Sequence, residues 1–168
     1  MKRVQVQLEM VAALLREQTC LALATTGENG EASVAPLFYI VDSPEIGDER
    51  LSLCWLSAES SLHSLNLLRT PRAAATVFRN TGNWREIRGV QMRGPVSQVT
   101  EPARRRALIK AYCERFKLRT VFRLAIRQSA LYALQPDFYR YIDNSRGFGY
   151  KFELRRGREG WVCTGPNG

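Results

Sequence analysis

The strand-forming stretches of this chain come in pairs joined by tight turns, and that arrangement narrows the fold more than any other feature. Cys20–Thr26 is followed by Gly27-Glu28-Asn29-Gly30 and then directly by Ala32–Val41. Asn and Gly reach positive φ at little cost, so the four residues read as a hairpin turn. Thr81-Gly82-Asn83 stands in the same way between Ala73–Phe78 and Glu86–Val99, and Asn144-Ser145-Arg146-Gly147 between Ala130–Asp143 and Phe148–Leu154. Leu51–Leu56 is a further strand. Strands joined by such turns are antiparallel, whereas a doubly wound parallel sheet needs a helix between successive strands. Three or four helices flank them: Val4–Glu17 with apolar residues at helical spacing, Ser60–Leu68 stopped by Thr70-Pro71, a helix to Arg115 with Thr100 as N-cap, and Thr120–Arg127. The pattern predicts a mainly β, α+β chain: a small antiparallel barrel with peripheral helices.

One domain is expected over residues 1–154, with a loose, Arg- and Gly-rich tail over 155–168 that Trp161 could dock. Asp42–Glu49 reads as a polar loop. Pro36 falls inside a strand, where it has no N–H for the ladder, so it belongs at an edge, a bulge or an opening. Gly89 and Gly94 on the long strand mark bulges or close backbone approach.

Apolar residues at 45% and charged residues at 24% exclude a disordered or collagenous chain. No apolar run approaches the roughly 20 residues of a membrane helix, and Glu9, Arg16 and Glu17 break up any leader-like start, so the expected location is the cytoplasm. Cys20, Cys54, Cys113 and Cys163 form no CxxC pair, and His63 is the only histidine, which points to reduced thiols and no metal site. The net charge of +9 is concentrated in residues 101–127, where nine basic side chains face only Glu101 and Glu114. Such a patch attracts anions: a phosphorylated cofactor, an acidic partner or nucleic acid.

The chain has no GxSxG, HExxH or P-loop, so any redox chemistry must come from a bound cofactor. One stretch stands out. The apolar strand Leu51–Leu56 runs into Ser57-Ala58-Glu59-Ser60-Ser61 just as a helix begins, with His63 inside the first turn. Helix-start N–H groups and serine hydroxyls suit a phosphate, although a serine there also serves simply to cap the helix.

The order of hairpin, strand, Ser-rich turn, short helix ending in Thr70-Pro71-Arg72, and strand resembles the FMN-binding split-barrel superfamily typified by pyridoxamine 5′-phosphate oxidase. Ser57, Ser61, His63 and Pro71 fall on the phosphate-binding pattern Thr-x-x-x-Ser-x-Lys and the proline eight residues beyond it. Ile87-Arg88-Gly89-Val90-Gln91-Met92-Arg93-Gly94 and Asp143–Gly149 resemble a poorly characterised bacterial branch of the same superfamily. The resemblance covers about residues 5–154. It implies a six-stranded antiparallel split β-barrel of Greek-key type and a homodimer holding FMN in a groove between subunits. It implies that Ser57, Ser61 and His63 face the phosphate, that Ala35 and Pro36 lie beside the ribityl chain and ring, and that Arg88, with Gln91 near it, faces phosphate or ring. His63 stands where the family has Lys, Gly89 where it has Gln, and the basic residue expected near Pro36 is missing. The implied activity is an FMN-dependent oxidoreductase on a small molecule. Two other readings follow: a non-enzymatic split barrel holding heme or another ligand, for which His63 is the sole histidine, and nucleic-acid binding through helices 101–127.

Overall fold

The computed structural model describes residues 2–42, 51–118 and 123–164. Helix α1 spans Lys2–Glu17. The strands are β1 (Cys20–Thr26), β2 (Ala32–Phe38), β3 (Ile40–Asp42), β4 (Ser52–Ala58), β5 (Arg72–Phe78), β6 (Arg88–Gln98), β7 (Ser129–Leu134), β8 (Phe138–Asp143), β9 (Lys151–Gly157) and β10 (Gly160–Thr164). Helix α2 (Leu62–Arg69) lies between β4 and β5, while α3 (Pro102–Arg115) and α4 (Arg123–Arg127) lie between β6 and β7. The polar loop expected over 42–49 falls, beyond Asp42, outside the described residues, as do residues 165–168.

All pairing is antiparallel. β1 pairs with β2 and β5, β5 with β6, β6 with β7, β7 with β4, and β4 with β3. Only Tyr39 separates β2 from β3, so the two form one bent strand and the ring closes. Counted this way the barrel has six strands. The described residues contain ten strands because β8, β9 and β10 add a wing to the first half of β6. β6 serves both: Arg88–Arg93 pairs with β8, and Val96–Gln98 turns to β7.

The barrel interior is filled by alternating residues, as the pleat requires. Leu21, Leu23, Leu53, Trp55, Val77, Val90, Met92, Tyr132 and Leu134 join Val11 and Leu15 of α1 in one buried cluster. Tyr39, at the bend, donates its hydroxyl to the Leu15 carbonyl at 2.7 Å and ties α1 to the barrel. A second cluster lies outside, where Leu108 and Tyr112 of α3 cover Ile40, Cys54, Leu131 and Ala133. All four cysteines are unpaired, and burial pushes the Cys54 thiol up to about 12.

Three expectations need correction. Ala130–Asp143 is not one strand: Pro136 breaks it into β7 and β8, which pair with different halves of β6. The N-cap of α3 is Glu101, not Thr100; its carboxylate accepts from the N–H groups of Ala103 and Arg104. Residues 155–164 are not a loose tail. They complete the β9–β10 hairpin, and Trp161 is buried against Tyr139 with ring centroids 5.0 Å apart.

Candidate functional site

Strand β4 ends at Ala58, a turn closed by Ser61 N–H to the Ala58 carbonyl reverses the chain, and α2 begins at Leu62. Ser61 occupies the N-cap position, yet its hydroxyl makes no capping bond to a backbone N–H of the helix. It turns instead into a cluster. Ser57 Oγ lies 3.0 Å from Ser61 Oγ and 2.7 Å from His63 Nε2, Ser61 Oγ lies 3.1 Å from that nitrogen, and Ser61 donates to the buried Ser64 at 2.8 Å. Ser57, Ser61 and His63 are half-buried. Burial holds the His63 pKa below its usual value, and no neighbouring charge contributes to that shift. The imidazole is therefore neutral at pH 7. Helix α2 is fixed by a buried bond from Asn66 Nδ2 to Thr25 Oγ1, 3.1 Å. Two hydroxyls, an imidazole nitrogen and the positive end of an eight-residue helix thus converge on one point. Such a set can turn its donors toward a phosphate monoester.

The other four expected site residues are dispersed. Pro36, Ala22, Thr76 and Gln91 lie in one cross-strand row on the outer face of β2, β1, β5 and β6. Three strand spacings make that row about 14 Å long. With Ala24 and Ala74 beside it, the face is a flat shelf of small side chains, edged by the exposed Val34, Phe38 and Phe78. Pro36 meets its missing N–H by standing where β2 has no second neighbour. Ala35 points the opposite way from Pro36, into the barrel opposite Leu23. Arg88 and Gln91, three residues apart, leave opposite faces of β6, although both border one cleft with Thr76 and Phe78. Arg88 is bound to the buried Asp143, Nε to Oδ2 at 3.3 Å.

The serine-rich motif did not reveal Ser64, although its spacing of three from Ser61 places it on the same helical face. Thr25 and Asn66 carried no local signal, since their contact joins distant parts of the chain.

The basic helix α3 is largely committed. Arg104 holds Asp42 through Nε and Nη2 at 3.0 and 2.7 Å, Arg105 donates to the Ser129 carbonyl, and Arg115 donates to the Arg16 and Gln18 carbonyls at the end of α1. Among the described residues, no group of His, Cys, Asp and Glu is arranged to hold a metal ion, and no helix is long and apolar enough to cross a membrane.

A closed six-stranded antiparallel barrel with a hydroxyl–imidazole cluster at the start of a short helix defines a split-barrel protein. Comparison with known proteins gives the family. The model of the pyridoxamine 5′-phosphate oxidase family matches residues 8–140, and the chain belongs to that family. It is 26% identical over 147 residues to a UPF0306 protein of Yersinia pseudotuberculosis, covering 88% of this chain and 92% of the other. Two solved structures share the fold. A pyridoxamine 5′-phosphate oxidase-related, FMN-binding protein of Nostoc punctiforme aligns with a TM-score of 0.66 and 15% identity over 93% of this chain and 94% of that one. A heme-binding protein of Mycobacterium smegmatis aligns with a TM-score of 0.61 and 15% identity over 84% of this chain and 57% of its own.

Proposed function

We propose that the protein is an FMN-binding homodimer that acts on a small molecule as a flavin-dependent oxidoreductase. The observation that carries this reading is the uncapped N-terminus of α2, where Ser57, Ser61 and His63 bond to one another within 3.1 Å. Their chemistry fits a phosphate monoester: hydroxyls that rotate, a nitrogen that can take up a proton beside an anion, and first-turn N–H groups. Bound FMN supplies hydride or electron transfer at N5. The chain's own residues hold the phosphate with Ser57, Ser61 and His63. Pro36 and Gln91 on the outer shelf meet the ring, and Ala35 supports the strand from inside. Arg88 acts indirectly, by fixing the start of β6 to Asp143. The shelf also supports the dimer. Val34, Phe38 and Phe78 are 65%, 57% and 57% exposed around it, an apolar face that a second copy would cover.

The test is a titration of FMN into the freshly purified protein, with the mass in solution measured alongside. Quenched flavin fluorescence, a dimer mass and one FMN per subunit are expected. Replacing Ser61 or His63 by Ala removes one hydrogen bond to a charged group, about 1.5 kcal/mol or more, and so weakens FMN at least about tenfold. No spectral change on titration refutes the flavin; a monomer mass refutes the seam.

The fold shared with a heme-binding protein favours a second reading, a split barrel that carries heme without flavin. A histidine-ligated heme then depends on His63, because the chain has no other histidine. A Soret band that disappears in His63→Ala would establish it, and a band that survives removes His63 from the account.

A further inference from the structure

The two faces of the wing, where β6 meets β8, carry different chemistry. Gln91 and Arg140 leave the outer face, whereas Arg88, Tyr141 and Asp143 leave the inner one, toward α1. There α1 borders a cleft of about 340 Å³. One wall is a single stripe of the helix, Met10, Ala13, Leu14 and Glu17, three and four residues apart. Among the described residues, Arg88 alone is common to this cleft and the one bordered by Thr76, Phe78 and Gln91, and Asp143 draws its guanidinium to the inner side.

Asp143 organises the floor. Its side chain is 3% exposed. Its Oδ1 accepts from the N–H and the hydroxyl of Ser145, which fixes the carboxylate against the 3-10 turn Asn144–Arg146. Its Oδ2 faces Arg88 Nε at 3.3 Å and Arg146 Nε at 3.8 Å. Each arginine makes this contact through the nitrogen nearest its stem, which leaves the two Nη groups of each fork for a ligand. The Arg146 guanidinium is also steadied over the Tyr150 ring, 5.6 Å from its centroid. Two forks are thus held at the base and open at the tips.

The charges of the floor do not balance. One carboxylate faces two guanidiniums, so one positive charge is left over. The helix wall carries the opposite sign: Glu17 ends α1, where the helix dipole is negative as well. Arg88 and Arg146 pair with Asp143 rather than with Glu17, so the two poles stay apart across the cleft. Beside them the wall is apolar, formed by Met10, Ala13 and Leu14. A positive pole, a negative pole and a hydrocarbon wall in one small cleft match a molecule that carries a carboxylate, an ammonium group and a short aliphatic chain.

We propose that this cleft binds a free aliphatic α-amino acid. The forks of Arg88 and Arg146 take the carboxylate, Glu17 takes the ammonium group, and Met10, Ala13 and Leu14 meet the side chain. A simple anion would meet repulsion from Glu17, and a simple amine repulsion from the two arginines, so the cleft selects the zwitterion. The ligand would bridge α1 to the start of β6 and the turn after β8. The proposal does not rest on the flavin reading, because the cleft lies on the other face of the sheet from the shelf and uses none of Ser57, Ser61 and His63.

The test titrates three compounds with one hydrocarbon chain into isotope-labelled protein as purified: L-norleucine, N-acetyl-L-norleucine, which keeps only the carboxylate, and n-pentylamine, which keeps only the ammonium group. NMR shifts of the Ser145 and Glu17 amide signals report binding. Norleucine is expected to bind at least about tenfold more tightly than either analogue. Glu17→Gln weakens norleucine at least about fivefold and leaves N-acetylnorleucine no weaker, whereas Arg146→Gln weakens both at least about fivefold. Both side chains are exposed, so the fold is kept. No saturable shift at these amides, equal binding of norleucine and N-acetylnorleucine, or full norleucine binding by Arg146→Gln overturns the proposal. So does a loss of FMN uptake caused by Arg146→Gln, which would make the cleft part of the flavin site.

Discussion

Gly94→Ala adds a single methyl group at the most crowded point of the fold. Gly94 pairs with Ala73 on β5, and its α-carbon faces the corner Gln135–Pro136 between β7 and β8. A Cβ built there lies 2.8 Å from the Gln135 carbonyl carbon and 2.9 Å from the Pro136 Cα, and its nearest neighbour is the Gln135 carbonyl oxygen. All three are backbone atoms, so no side chain can swing aside. Ordinary contact begins at 3.4 Å. The corner must retreat by about 1 Å, and two hydrogen bonds flank it: Gln135 N–H to the Pro95 carbonyl and Asp137 N–H to the Arg93 carbonyl, both 2.9 Å. Overpacking costs about 1–3 kcal/mol, and stretching the two bonds about 0.5–1.5 kcal/mol each. The lower entropy of the unfolded chain returns about 0.4–1 kcal/mol. The net loss is about 3 kcal/mol, a large share of the 5–15 kcal/mol that holds a typical domain together, and it lowers Tm by about 6–12 °C. Urea unfolding at fixed pH measures it. Gly89→Ala on the same strand is the control, because its nearest neighbour would be the Phe78 Cβ at 3.2 Å, only slightly inside ordinary contact. If Gly94→Ala costs less than about 1 kcal/mol, or no more than Gly89→Ala, the close approach at this corner is not what holds β7 and β8 to β6.

Trp161→Ala removes the side chain that seats β10 and should cost about 3–5 kcal/mol, read as a lower thermal midpoint; a loss under about 1 kcal/mol would return residues 155–164 to a loose appendage. Tyr39→Phe leaves the Leu15 carbonyl without its buried partner and should cost about 1–3 kcal/mol in urea, more than Tyr→Phe at the half-buried Tyr150. His63 gives the fold a pH dependence. Its pKa is below 6.5 in the folded protein, so the unfolded chain takes up the proton first; stability is complete above about pH 6.5 and falls as the pH drops through the folded value. The urea midpoint should therefore fall from pH 7.5 to 5 by more in the natural protein than in His63→Gln, and equal slopes would mean that the ring is not desolvated.

The barrel was legible because its turns carry their own chemistry. Gly27–Gly30 and Thr81–Asn83 fix hairpins whatever surrounds them, and Pro71 ends α2 by sterics alone. The β7–β8 break was missed although Pro136 sits between two apolar runs; it takes the close approach of Gly94, a contact distant in sequence, to show why the chain turns there. The C-terminal hairpin was hidden by composition, because β9 carries Lys151, Glu153, Arg155 and Arg156, and only Phe152, Leu154 and Trp161 are the hairpin's buried apolar residues. In the site, Ser57, Ser61 and His63 were found because they are close in sequence. Arg88 and Gln91 came from the resemblance; their odd spacing sends the side chains to opposite faces of β6, and only the fold shows that both reach the rim of one cleft.

The same distinction governs the basic segment. A count of nine cations over residues 101–127 describes a field, but the fold decides which charges remain available to a ligand. Arg104, Arg105 and Arg115 act as three straps, to Asp42 on β3, to the Ser129 carbonyl on β7 and to the end of α1. Lys110 lies 3.9 Å from Glu114. A nucleic acid gains affinity by exchanging counterions for phosphate contacts, and Arg104, Arg105 or Arg115, if recruited, would first have to let go of a strap. Binding of that kind would loosen α3 from β3 and β7 as it tightened. If a DNA duplex instead raised the thermal midpoint of the protein at low salt, with a steep salt dependence, these straps would not be what the arginines are for.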